Sequence, residues 1–196
     1  MKPPAHDRCE RCGTTIECPE RSVSVARVEG AQGELLCLDC FNREMGPSVG
    51  IDILPSQYPP LDLADADGKT HRFDFAVRVY PDGISIESWE PAADPGYRFQ
   101  VLGDPEECSG LYKDLVKRMR KALQRKHLEV ASYGEGIKGT KVRGWIDWDP
   151  EEGEAGRLPL LIIDGKPYTW EQFGRMLTSF EGFQFKLEIK DRSEDL

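Results

Sequence analysis

From His71 to Tyr80 the chain alternates: Phe73, Phe75, Val77 and Val79 fall on one face, with Arg72, Asp74 and Arg78 on the other. A period of two predicts a half-buried strand. Pro81–Gly83 is a turn signal, "ISIESWE" (Ile84–Glu90) predicts the returning strand, and "YRFQVL" (Tyr97–Leu102) a third. The period then lengthens. Over Glu106–Leu128, Leu111, Leu115, Met119 and Ala122 line one side with Tyr112, Val116 and Leu123 beside them. Lys113, Lys117, Lys121 and Arg125 recur opposite at i, i+4. That is an amphipathic helix, started by Asp104 as N-cap, Pro105 in its first turn and Glu107 placed for a capping box.

Further on, "KVRGWIDW" (Lys141–Trp148) and "PLLIIDGKPY" (Pro159–Tyr168) predict strands, the second with an Asp-Gly turn. Trp145 and Trp148 differ by three and so face opposite ways, placing one of them in the open or at a sheet edge. Thr169 caps a second helix, with Gln172 at the reciprocal position and Tyr168 set to staple Phe173; Gly182 stops it. "FQFKLEIK" (Phe183–Lys190) alternates cleanly, which predicts a strand with Phe183, Phe185, Leu187 and Ile189 inward. Strands cluster and two helices cover them, an α+β class with a mainly antiparallel sheet.

The first quarter has a different grammar. "RCERCG" (Arg8–Gly13) and "LCLDCF" (Leu36–Phe41) each hold a Cys-x-x-Cys pair, with 24 residues between Cys12 and Cys37. That spacing lets one loop present two thiolates to one ion, and zinc accepts thiolate at all four tetrahedral corners. Gly13 suits the tight knuckle after the first pair. "SVSVARV" (Ser22–Val28) and "GELL" (Gly33–Leu36) predict a hairpin turning at "EGAQG", and "FNREMG" a short helix closed by Gly46. Knuckle, hairpin and helix resemble a treble-clef or zinc-ribbon finger. The ligands are Cys9, Cys12, Cys37 and Cys40, holding one structural Zn2+; four thiolates leave no position open for catalysis. Cys18 fits the spacing less well, and Cys108 is expected as a free thiol in the long helix.

The boundaries that follow are a zinc finger over 1–46, a proline-rich linker over 47–66, an α+β domain over 67–190 and a polar tail over 191–196. "PLLIIDGKPYTWEQFGRMLTSFEGFQFKLEI" (Pro159–Ile189), taken with "RCERCG" and "CLDCFN", resembles a bacterial family of zinc-finger-bearing proteins of uncharacterised role. The resemblance implies a bacterial setting and brings no catalytic residues with it.

A net charge of −9 repels phosphate backbones, so nucleic-acid binding would need a concentrated basic patch. One exists: Lys113, Lys117, Arg118, Lys121 and Arg125 belong to a basic helix face running to Lys126, with no acid between Leu115 and Leu128. It is a solvated face or a surface for an anionic partner. No apolar run is long enough for a signal peptide or a membrane span, and the chain reads as cytoplasmic.

Other motifs fail on context. "GEGIKG" (Gly134–Gly139) follows a helix and precedes a strand, the reverse of a dinucleotide site, and reads as a flexible connector. "DGKT" lacks the first P-loop glycine, and "LADADGKTHRFD" (Leu63–Asp74) lacks a calcium loop's first and last ligands. The acidic stretch of Asp147, Asp149, Glu151, Glu152 and Glu154 is expected to be solvated. His6, His71 and His127 pair with no nucleophile in a recognisable pattern. The sequence therefore points to a zinc-binding, non-enzymatic protein with protein partners. Its rivals are nucleic-acid binding through the finger and basic helix face, and an enzyme whose site lies unrecognised in the α+β domain.

Overall fold

The computed structural model describes residues 7–25, 33–51, 57–93, 95–131, 134–149 and 158–194. By its contacts the chain divides into two compact units. Met1–Pro59, Phe75–Glu87 and Val101–Lys113 form the first; Pro60–Asp74, Ser88–Gln100 and Asp114–Leu196 form the second.

The first unit opens with a knuckle: the Cys9 N–H donates to the Thr14 carbonyl, the Gly13 N–H to the Cys9 carbonyl (2.9 Å each), and Arg8 bridges Thr15. Gly13 takes φ +72°, as its place in the motif demands. Strands β1 (Ser22–Val25) and β2 (Glu34–Cys37) pair antiparallel, and helix α1 (Leu38–Met45) follows without a break. The expected turn at "EGAQG" lies outside the described residues. Cys9, Ile16, Leu36, Cys37, Cys40 and Phe41 form a small core. Gly46 does not close the helix: it stays right-handed at φ −49°, the chain continues as a 3-10 turn over Gly46–Val49, and Gly50 at φ +74° makes the stop.

A four-stranded sheet has the order β3 (Leu61–Ala64), β4 (Thr70–Tyr80), β5 (Gly83–Trp89), β6 (Arg98–Gly103). The alternation holds, with Phe73, Phe75, Val77, Val79, Ile84 and Ile86 all fully buried. β3 arises from the stretch that sequence marks as linker. It pairs antiparallel with β4 only as far as Phe73. Further along β4, in the first unit, Asn42 of α1 takes over. Its Nδ2 donates to the Val77 carbonyl (2.7 Å) and its Oδ1 accepts from the Val79 N–H (3.0 Å).

Helix α2 (Cys108–Leu123) starts as expected, with the Asp104 carboxylate accepting from the Glu106 N–H at 2.8 Å before a 3-10 turn at Pro105–Glu107. Leu115, Met119 and Leu123 are fully buried. It ends five residues early. The amides of His127 and Leu128 both donate to Asp164 Oδ2, at 2.8 and 2.9 Å, and Leu128 already belongs to a strand.

That strand, β7 (Leu128–Ala131), pairs antiparallel with β8 (Gly134–Ile137), so "GEGIKG" is half strand rather than a connector. β9 (Trp145–Trp148), β10 (Pro159–Ile163) and β11 (Lys166–Thr169) form an antiparallel sheet with β10 central. Asp164 and Gly165, at φ +50° and +75°, make the hairpin turn between β10 and β11. Helix α3 (Trp170–Leu177) carries the full capping box of Thr169 and Gln172, and Phe173 packs with Tyr168, Ile163 and Met176. Trp170 is half exposed. As expected, Trp145 and Trp148 part company: Trp145 is half-buried and Trp148 exposed, on the edge strand β9.

The largest departure is at Phe183–Lys190. The segment forms no strand, and Phe183, Phe185, Leu187 and Ile189 are 68%, 92%, 73% and 68% exposed. Alternation encodes which face is apolar; whether a sheet edge lies in reach is a non-local matter. The fold class is α+β with antiparallel pairing dominant and three α-helices among the described residues.

Candidate metal centre

Cys9 enters from the knuckle, Cys37 ends β2 as the N-cap of α1, and Cys40 sits in that helix's first turn. The four sulfurs of Cys9, Cys12, Cys37 and Cys40 all lie within 4.8 Å of one another, and Cys12 Sγ is 3.7 Å from Cys37 Sγ. A tetrahedron with metal–sulfur bonds of about 2.3 Å has sulfur–sulfur edges of about 3.8 Å, so the donor set fits such an ion. Cys18 is not in the cluster.

The setting favours thiolates unevenly. Burial works against the Cys9 thiolate, but the backbone N–H groups of Cys37, Cys12 and Arg11 outweigh it and hold the thiol below its ordinary value. The Thr14 hydroxyl and amide draw Cys12 down to about 6. Burial and the neighbouring sulfurs push Cys40 well up, and burial also raises Cys37. Four adjacent sulfurs cannot all carry charge unless something positive sits between them. Strand β2 also holds the knuckle: Glu10 donates its N–H to the Leu35 carbonyl (2.9 Å), and its carboxylate accepts from the Leu35 N–H (3.2 Å). Arg11 ties the same turn to Glu44 of α1 (2.6 Å) and Glu34 of β2 (3.4 Å).

A second polar cluster joins Asp65, Asp67 and His71, close in sequence, to Glu90, Tyr97 and Lys126, whose distance along the chain hides the grouping. In the second unit, buried His71 has Nδ1 2.6 Å from Glu90 Oε1 and Nε2 3.3 Å from Asp65 Oδ2. Lys126 Nζ reaches Asp65 at 2.9 Å and Asp67 at 3.2 Å; Glu90 Oε2 accepts from the Tyr97 N–H, and the Tyr97 ring meets His71 edge-on. Each ring nitrogen of His71 thus faces its own carboxylate. Asp65 also accepts from the amides of Asp67 and Lys69 (2.9 Å each), which makes the failed calcium-loop motif an Asx-type turn. The cluster ties β4 to the residues that follow β3 and β5 and to the segment after α2.

The basic helix face is only partly presented. Lys113, Lys117, Lys121 and Arg125 are exposed. Arg118 donates to the Ser193 carbonyl at 2.6 Å, and Lys126 is turned onto Asp65. Of the acidic stretch, Glu151, Glu152 and Glu154 lie outside the described residues; Asp149 is buried and Asp147 accepts from the Trp148 N–H. Cys108 begins α2 with its sulfur 3.1 Å from the Tyr58 hydroxyl, and Tyr58 stacks on Tyr112 at 4.1 Å.

Two family models match the chain. One, a domain of unknown function (DUF7686), covers residues 56–124, which hold β3 to β6 and α2. The other, a domain of unknown function (DUF7713), covers 127–194, which hold β7 to β11, α3 and the extended segment. The four cysteines lie in neither match. No curated protein and no solved structure matches. No helix among the described residues is long and apolar enough to cross a membrane.

Proposed function

We propose that the chain is a zinc-stabilised, non-enzymatic protein-recognition molecule, with one Zn2+ held by Cys9, Cys12, Cys37 and Cys40. The observation that carries this is the closed set of four sulfurs within 4.8 Å of one another. Bound there, the ion supplies charge neutralisation and a cross-link for a core of six buried side chains, too few to hold a fold alone. The order of knuckle, hairpin and helix supports a treble-clef finger. A bacterial, cytoplasmic setting is part of the same proposal. The engaged Arg118 and Lys126 weigh against the nucleic-acid alternative.

The test has two arms. Elemental analysis of the full chain should give one zinc per chain, and Cys9→Ser should abolish it; metal-free protein with all four thiols readily alkylated and the fold intact defeats the metal assignment. Binding to mixed DNA and RNA should be weak with a shallow salt slope. A steep slope, or steady turnover against a hydrolase and transferase panel, defeats the recognition role.

A further inference from the structure

We propose that residues 184–190 are a dimerisation strand that pairs antiparallel with the same segment of a second copy, about a two-fold axis at Leu187. The proposal is independent of the metal centre and goes beyond the recognition role.

The segment is a strand in everything but its partner. Among the described residues no backbone–backbone hydrogen bond reaches residues 184–189. Phe185, Leu187 and Ile189 share one exposed face, and Lys186, Glu188 and Lys190 the other, where Glu188 lies 3.2 Å from Lys186 and 3.6 Å from Lys190. An unpaired apolar strand in water is a template for pairing with another chain. Its ends are fastened by its own chain. Phe183 meets the Phe180 ring edge-on at 5.7 Å; beyond the segment, Arg192 lies over the Trp145 ring at 5.3 Å and Arg118 holds the Ser193 carbonyl. Such fastening lowers the ordering entropy that makes a free two-stranded ribbon marginal. The same unit also exposes Ile146, Trp148 and Trp170.

The sequence of the segment says what occupies it. Directly opposed residues of an antiparallel pair share a face, so any two-fold axis that falls between residues sets apolar against polar. Among the remaining registers, centring on Phe185 sets Ile189 against Glu181 and Glu188 against Gly182, centring on Lys186 opposes two lysines, and centring on Glu188 opposes two glutamates and sets Lys186 against Lys190. Centring on Ile189 puts Leu187 opposite Asp191 and leaves the phenylalanines without partners. Centring on Leu187 resolves every conflict. Lys186 then faces the second copy's Glu188 twice, Phe185 faces Ile189 twice, Leu187 meets itself and Gln184 meets Lys190. Such self-complementarity is what an isologous two-fold contact requires, and a strand evolved for an unrelated sheet edge has no reason to carry it.

The experiment is a charge swap on the full chain, read as the dimer dissociation constant by sedimentation and native mass spectrometry. The wild type should dimerise below about 100 μM. Lys186→Glu and Glu188→Lys should each weaken the dimer about tenfold, because two attractive cross-strand pairs become repulsive. The decisive step mixes the two single variants. Every cross-strand pair in the mixed species is again Glu against Lys, so the heterodimer should form preferentially over either homodimer; an effect confined within one chain cannot produce that. A wild type monomeric at that concentration overturns the proposal, as does a dimer indifferent to both swaps or a mixture with no heterodimer preference. Circular dichroism of each variant separates loss of pairing from loss of fold.

Discussion

The side-chain amide of Asn42, in helix α1, donates to the main-chain carbonyl of Val77 in β4 at 2.7 Å, and so completes the hydrogen bonding of a strand it does not belong to. The return bond from the Val79 N–H makes the pair equivalent to one rung of a ladder. Asn42 stands two residues after Cys40 on the same helix, so the four-cysteine cluster and the middle of β4 share a rigid support.

Asn42→Ala should leave a buried carbonyl and a buried amide unpaired, at a cost of about 3 kcal/mol. Urea unfolding checks this, and Asn42→Asp should lose nearly as much, since a carboxylate cannot donate to Val77. A loss no larger than that of an exposed α1 control such as Asp39→Ala would show that the rung is dispensable.

Cys37→Ser should remove the metal and open residues 7–25 and 33–46 to protease. With one candidate ligand at α1's N-cap and another in its first turn, loss of one should undo the helix's anchorage to the knuckle. Cys18→Ser should change neither metal content nor cleavage pattern, since Cys18 is outside the cluster.

Stability should fall in acid through Asp65. Burial opposes its ionisation, but Lys126, His71 and two backbone amides overcome this and hold the carboxyl well below its ordinary value. A depressed folded-state value means stabilisation that is fully present above the unfolded value and lost as pH falls through the folded one. Wild type should therefore lose stability progressively below about pH 4, while Asp65→Asn should be flatter there and weaker by about 2–4 kcal/mol at pH 7. Lys126 shows the mirror case: burial lowers it, Asp65 and Asp67 raise it further, and its contribution should persist until strongly alkaline pH. Denaturation midpoints across pH check both arms.

Gly165→Ala should cost about 2 kcal/mol or more. Gly165 holds φ +75°, and a Cβ there would stand 2.8 Å from the Tyr97 ring. Gly174→Ala, in α3 with open space around it, should be neutral or stabilising, and the difference between the two melts is the measurement.

Local chemistry was legible and long-range pairing was not. The Thr169–Gln172 box, the Asp164-Gly165 turn, the Asp104 cap and the inward face of β4 depend on residues within a few positions of each other, and each stands as the sequence implies. The gathering of the four cysteines is readable because two Cys-x-x-Cys pairs leave a regular trace. Asn42 was invisible: nothing around it announces that its partners are Val77 and Val79. His71 pairs with no nucleophile in a recognisable sequence pattern, and its partners Asp65 and Glu90 stand one before and one well after it in the chain. The end of α2 is not legible because the Asp164 carboxylate that captures the amides of His127 and Leu128 lies some 40 residues away, at a hairpin whose turn is itself easy to read.

Each compact unit is assembled from three stretches, and the chain passes from one to the other five times, after Pro59, Asp74, Glu87, Gln100 and Lys113. All five crossings fall inside the segment that matches DUF7686. A single scission therefore cannot liberate either unit as one covalent piece. Nicked protein should run as separate fragments in detergent while keeping the mass of the intact chain under native conditions. Splitting or shuffling this molecule into functional halves requires more than a cut: the 56–124 segment is common property, and whichever half keeps it leaves the other without its strands.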